Sequence, residues 1–417
     1  PLYLAYNEAL SPHTVVANGN WNAPSTWNKG TVPTCSNAVV IPAGYTVTVN
    51  SAANSAARVD VYTGGSLVVV SGDITVGCTD NNSTLTNNGT VTVSGGTLAV
   101  NGNIWNAASS TLNQSGGDII IDGNNGGSVT GSVASDTALL HMASNDVNMT
   151  GGVLTIVDPH AATTASNSIN YTFGTSGSIA FSPNHTLRLG NGVSTDAGGN
   201  LANGFRINTF ASSGRISKFG KLKINALAGT NRHVTTTYSF GVHDLEIHAN
   251  SQFRMNSTSL YIAGDFVNNG LYVSSTTTYL ADYSNASNDP TNVAQTISGT
   301  GQFHNASITA STLPTLNDVI YSLNVNNSST GGVTLARSFG LSNVLTLTEG
   351  VVHTSTTNLL SVGLGTTTGT MTTGSNTAYI DGPVSKIFAN NYTGTQLFPV
   401  GKGGSYSPIW ISPKTTA

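Results

Sequence analysis

Only 8% of this 417-residue chain is Asp, Glu, Lys or Arg, against roughly 25% in an ordinary soluble domain, so its surface polarity must come from Ser, Thr and Asn. Three glutamates (Glu8, Glu246, Glu349) and 47 glycines exclude a helical fold and favour an all-β chain. The net charge of −4 is small but unevenly placed: no Lys or Arg lies between Arg58 and Arg188, where Asp60, Asp73, Asp118, Asp122 and Asp146 stand unopposed.

Residues 1–20 do not fit the pattern that follows. Leu2, Leu4 and Tyr6 alternate with Tyr3 and Ala5 as in a strand. This segment is expected to cap the first coil, with an arm adding to another subunit's edge as the alternative. Next, Trp21 and Trp27 are placed to plug the end of a hydrophobic core. Pro42, Ala43 and Gly44 then make a turn before a strand at residues 45–49. Cys35 and Cys78 have neither CxxC nor Cys/His spacing, which argues against zinc and for a disulfide that staples the first coils in an oxidising compartment.

Residues 51–160 repeat one phrase: TGGSLVVVSGDITV at 63–76, NNGTVTVSGGTLAVNGN at 87–103, QSGGDIIIDGNNGG at 114–127 and TGGVLTIVD at 150–158. Apolar and Thr residues alternate within each run, the period of a strand with one buried face. Gly and Asn close the corners. Units of roughly 18 to 25 residues predict a solenoid, because a single coil cannot bury its apolar face alone. Asn pairs at Asn81-Asn82, Asn87-Asn88 and Asn124-Asn125 predict stabilising Asn ladders. At about 4.8 Å per coil, some 15 coils would make a rod on the order of 70 Å.

Residues 160–290 are less regular, with strand-like pieces at 186–189, 221–224, 245–247 and 260–262. Gly- and Asn-rich excursions such as 191–203 separate them, and loops of this kind carry binding functions. Residues 291–365 are regular again. The domain expectation is an arm or cap at 1–20, a parallel β-helix at 21–375 and a β-rich segment opening a further module at 376–417.

Several phrases together resemble secreted Bacteroidota surface proteins of the adhesin-like, type IX-exported kind. They are the paired tryptophans with Val32-Pro33 and IPAGYTVTV (41–49), AQTISGTG (294–301) with FHNASI (303–308), YSLNVN (321–326), and VLTLTEGVV (344–352). The closing stretch at 379–411, with its GPV and FPVGKGG, also matches. The resemblance implies a right-handed parallel β-helix, a secreted and cell-surface location, and a passage at GPV and FPVGKGG from the β-helix into a following module. It also implies an O-glycan at Thr137, in Asp136-Thr137-Ala138. The family's sorting domain is not visible, and the chain reads as a fragment or processed form of something longer.

The best local chemistry lies in VHDLEIH (242–248). With Leu245 and Ile247 inward, Asp244, Glu246 and His248 fall together on the outward face. A carboxylate pair there suits general acid–base work, a glycan contact or, with His248, a cation. Alternation gives every strand a polar face, so a solvated face is the plainer expectation, and no catalytic residue or metal site is assigned. His141, His160 and His185 stand alone. There is no HExxH, GxSxG, phosphate-binding glycine loop or GGxGxD calcium repeat, so no cofactor is expected. The Thr-rich run at 366–368 suggests ice binding, but the coil lengths are too uneven for a flat Thr array.

The basic stretch with Arg206, Arg215, Lys218, Lys221, Lys223 and Arg232 lacks interleaved aromatics, so it is read as a solvated patch and nucleic acid is not expected as a partner. Without a run of about 18 apolar residues, neither is membrane insertion. The functional expectation is a non-catalytic extracellular rod that acts in adhesion or as a filament subunit through self-assembly, glycans or cell surfaces. The alternatives are a β-helix polysaccharide lyase or hydrolase and a glycan-binding adhesin.

Overall fold

The computed structural model describes residues 11–78, 84–122, 139–143, 146–157, 169–171, 179–192, 204–209, 217–225, 233–284, 287–307 and 315–413. They form an all-β, mostly parallel architecture with strands in sequential order, consistent with a right-handed β-helix. A single 3-10 turn at Pro24–Thr26 is the one helical element described. The chain divides into two compact units, residues 1–186 with 194–203, and residues 187–193 with 204–417.

In the first unit, consecutive strands join three different sheets, and the fourth returns to the first. Arg58–Val61, Ser66–Val69 and Asp73–Val76 make one coil; Thr84–Asn87, Thr90–Val93 and Thr97–Val100 make the next. The second coil lies parallel on the first, Val59 opposite Leu85, Ser66 opposite Thr90 and Asp73 opposite Thr97. Such parallel pairing between coils sets aside a β-sandwich. Period-2 alternation buries one side of each strand: Val59, Leu67, Ile74, Leu85, Val91 and Leu98 are fully enclosed. Each contributes about 1.5–3 kcal/mol of hydrophobic stabilisation.

The repeated Gly-Gly has a steric cause. Gly96 has φ +65°, and a Cβ there would lie 2.0 Å from the carbonyl oxygen of Gly72 in the coil below. Only glycine both adopts that turn and lets the coils close. The Asn ladder is realised at one of its expected places. Asn87 is fully buried, and its amide donates to Asn106 Oδ1 at 2.6 Å and to the Thr111 carbonyl at 2.8 Å. Asn81, Asn82, Asn124 and Asn125 lie outside the described residues.

Within residues 1–20, the described part supplies strands of its own. His13–Thr14 pairs in parallel with Val39 and Val40, and Gly19–Asn20 with Val47 and Thr48. Trp21 and Trp27 are buried edge-to-face with centroids 5.0 Å apart, and the Trp27 indole N–H donates to the Trp21 carbonyl at 2.8 Å. Cys35 and Cys78 form the expected disulfide, Cα atoms 5.3 Å apart. It ties the approach to Ala38–Ile41 to the end of Asp73–Val76, two successive coils. Asp60 is not unopposed: Arg58 Nη2 lies 2.6 Å from its carboxylate.

In the second unit the core is aromatic. Phe219, Phe240, Phe253, Tyr272, Phe303 and Phe339 touch in succession, with centroids 5.1–6.4 Å apart. Two eight-residue strands, Ser217–Ile224 and Phe240–Ile247, lie side by side. The second forks on its far side: its first half pairs with Leu260–Ile262 and its second half with Phe266–Asn268. The last described strands change habit. Gln396–Phe398 pairs with Ile409–Ile411, and Gly401–Lys402 with Ser405–Tyr406, both antiparallel. No helix among the described residues is long and apolar enough to cross a membrane.

Candidate functional site

The forked strand Phe240–Ile247 carries the candidate residues, and its fork decides their geometry. Phe240, Gly241 and Val242 are buried, then His243 and Asp244 both face outward before Leu245 and Ile247 turn inward. The alternation breaks where the strand passes from one partner to the other. There Leu245 N–H donates to the Asp265 carbonyl at 2.9 Å, and Gly264 N–H to that of His243 at 2.6 Å. Gly264 packs closely at the fork: a Cβ there would lie 2.2 Å from Asp244 Oδ1 and 2.8 Å from His243 Nδ1, so those side chains would have to shift.

Asp244 Oδ1 takes two hydrogen bonds, from the Asp265 backbone N–H at 2.9 Å and within 3.0 Å of His243 Nδ1. Its other oxygen lies 3.4 Å from Lys221 Nζ. Glu246 is gripped from both sides, Lys223 Nζ 2.8 Å from one oxygen and His248 Nε2 2.9 Å from the other. The two lysines stand in register on the neighbouring strand, Lys221 opposite Asp244 and Lys223 opposite Glu246.

Burial alone would raise the pKa of both acids. For Asp244 the His243 and backbone hydrogen bonds outweigh it, and for Glu246 the Lys223 ammonium does. Both carboxyls are therefore held below their ordinary range and ionised at neutral pH. An ionised carboxylate accepts protons and hydrogen bonds but cannot act as a general acid.

Glu246 and His248 therefore come together, while Asp244 is partnered by His243, not His248. The sequence reading missed the lysines. Lys218 is bonded to Asp282, and Lys221 and Lys223 to the two acids, so these three residues are not a free solvated patch. The signal was available, since KLKI at 221–224 and DLEI at 244–247 share one apolar pattern with opposite charges.

Other candidates fall elsewhere. Asp118, one of the aspartates far from any Lys or Arg in sequence, stacks between Thr97 and Val153. His141 lies flat on Trp105, centroids 3.9 Å apart, and His185 is wholly buried. Thr137 and His160 lie outside the described residues. Among the described residues no cluster of three His, Cys, Asp or Glu could hold a metal ion.

No family model, no curated protein and no solved structure matches this chain.

Proposed function

We propose that this chain is a non-catalytic, extracellular β-solenoid rod that works in adhesion or as a subunit of a surface filament. One observation carries the reading. The two acids that the sequence singles out, Asp244 and Glu246, are each paired with a lysine of the preceding coil, Lys221 and Lys223. Outward acids paired in this way tie neighbouring coils together, and, ionised at neutral pH, neither can serve as a general acid. The Cys35–Cys78 disulfide supports an oxidising, secreted location, as does the resemblance to exported surface proteins. The pairing of Lys218, Lys221 and Lys223 with acids leaves these three lysines little free charge to attract nucleic acid; Arg215 and Arg232 lie outside the described residues.

Negative-stain electron microscopy across a concentration series tests the reading. Filaments with a regular axial repeat are expected for a polymer, and single rods retained on host cells or glycans for an adhesin. Turnover of a polysaccharide, abolished by Asp244→Asn or Glu246→Gln, would replace the reading with the lyase or hydrolase alternative.

A further inference from the structure

In the second unit, a cleft of about 470 Å³ opens beside the late coils, bordered by Ser328, Thr330, Glu349, His353, Tyr379 and Asp381. Its size is within the ~300–1,000 Å³ of small-ligand sites. The strands Val344–Glu349, Val352–His353 and Ile380–Asp381 bring its acids and histidine together, with His353 directly opposite Asp381.

The walls are fixed from behind. Asn327 is fully buried; its amide donates to the Val293 carbonyl and to Gln295 Oε1, each at 2.9 Å. Its Oδ1 accepts the Ser329 backbone N–H at 2.9 Å and the Ser329 hydroxyl at 2.6 Å. Tyr379 is buried, and its phenol oxygen accepts the Gly404 N–H at 2.8 Å. On the outer turn, a Cβ at Gly403 or Gly404 would meet nothing within 4 Å, so that side is open.

Two of the bordering groups differ from Asp244 and Glu246 in being unspent. Among the described residues, no hydrogen bond or ion pair reaches the Glu349 carboxylate or the Thr330 hydroxyl. Asp381 gives one oxygen to Lys402 at 2.9 Å. Its other oxygen is 4.0 Å from His353 Nδ1, too far for a hydrogen bond. Several acceptors and a ring nitrogen thus converge on one hollow.

The chemistry narrows the ligand. A metal ion lacks its cluster of three ligating groups among the described residues. Val351 is the one aliphatic side chain in the lining, so an apolar peptide finds little to bury. Two carboxylates, Glu349 and Asp381, border the hollow against the single exposed ammonium of Lys402 beside them, so uronates and sulfates are repelled. A ligand with many hydroxyls and no negative charge satisfies Glu349, Thr330, His353 and Asp381 together. We propose that this cleft binds a short stretch of neutral glycan. The proposal rests on the adhesive branch of the rod reading.

The test is an array of neutral and acidic oligosaccharides probed with the full chain, followed by calorimetry on the neutral ones retained. Retention of neutral sugars is expected, weakened about tenfold, or 1.4 kcal/mol, by Glu349→Ala and by His353→Ala. Glu349→Gln should retain part of the affinity, and Val16→Ser, at an exposed position in the first unit, all of it. Thermal melting of each variant separates lost binding from lost folding, and His353→Asn serves if His353→Ala melts early. Failure to retain any neutral glycan, retention of uronates alone, or affinity indifferent to both cleft variants would overturn the proposal. Imaging the same preparations keeps the two readings apart: filaments without glycan retention defeat the cleft alone, whereas glycan-retaining dispersed rods defeat the filament alone.

Discussion

In the first unit, Nε2 of His185 lies 3.0 Å from Oε1 of Gln114, and no side chain or backbone group among the described residues bonds its Nδ1. The Gln114 amide is committed as a donor to the Gly117 and Val153 carbonyls at 3.1 and 3.0 Å. Its oxygen is therefore the acceptor, and Nε2 carries the proton. The ring meets Phe181 edge-on at 4.9 Å, and burial pushes its pKa down to about 4. Above pH ~6.5 the ring is neutral folded or unfolded and contributes no pH dependence. Between there and pH 4 the unfolded chain takes a proton that the folded chain refuses. Stability should fall across that window by about 3 kcal/mol from this group. Urea titrations at pH 7, 5.5 and 4.5 check it: His185→Gln should flatten the slope relative to wild type, and equal slopes would contradict the assignment.

The charge ladder makes a smaller and salt-dependent prediction. Lys223 and Glu246 are about a third and a quarter exposed, so their pair is worth ~1 kcal/mol or less. Glu246→Lys should lower stability by about that much, and adding Lys223→Glu should restore most of it. The recovery should shrink in molar salt. In acid the ladder weakens only below the ordinary carboxylate range, because both acids titrate low.

Gly264→Ala tests the fork. The added methyl would sit where Asp244 Oδ1 lies, and a loss of ~1–3 kcal/mol is expected. Combining it with Asp244→Ala should cost less than the two separate losses summed. Strict additivity in a double-mutant cycle would show that the carboxylate is not what the methyl meets.

Reduction of the Cys35–Cys78 bond, or replacement of both residues by serine, should cost the first unit ~2–4 kcal/mol. Melting curves with and without reductant should differ for the wild type and coincide for the double variant.

The solenoid was legible because its determinants are local. Thr90 to Val93 and Thr97 to Val100 alternate plainly, and the Gly-Gly phrases mark the places where one backbone must touch the next. The outward placement of Asp244, Glu246 and His248 followed from the same period. Their partners were only partly legible: KLKI and DLEI share a pattern with opposite charges, but Lys221 and Lys223 come from the preceding coil, and only stacking fixes the register. Asp244 and His243 also break the alternation at the fork, where two partner strands compete for one. The cleft at Glu349 and His353 draws on turns at 327–330 and 403–404, whose approach no periodicity reveals.

Register in the first unit is handed on strand by strand: Leu85 stands opposite Ile104, and Ile104 opposite Leu140. The second step skips many more residues than the first, yet the pairing continues without a slip. Chain length between coils is thus uncoupled from the frame that the coils maintain. A frame of that kind can receive foreign epitopes or binding peptides at its corners while its spine stays unaltered. Natural variation could change what such a surface presents to its surroundings by the same route, rewriting corners and leaving the spine alone.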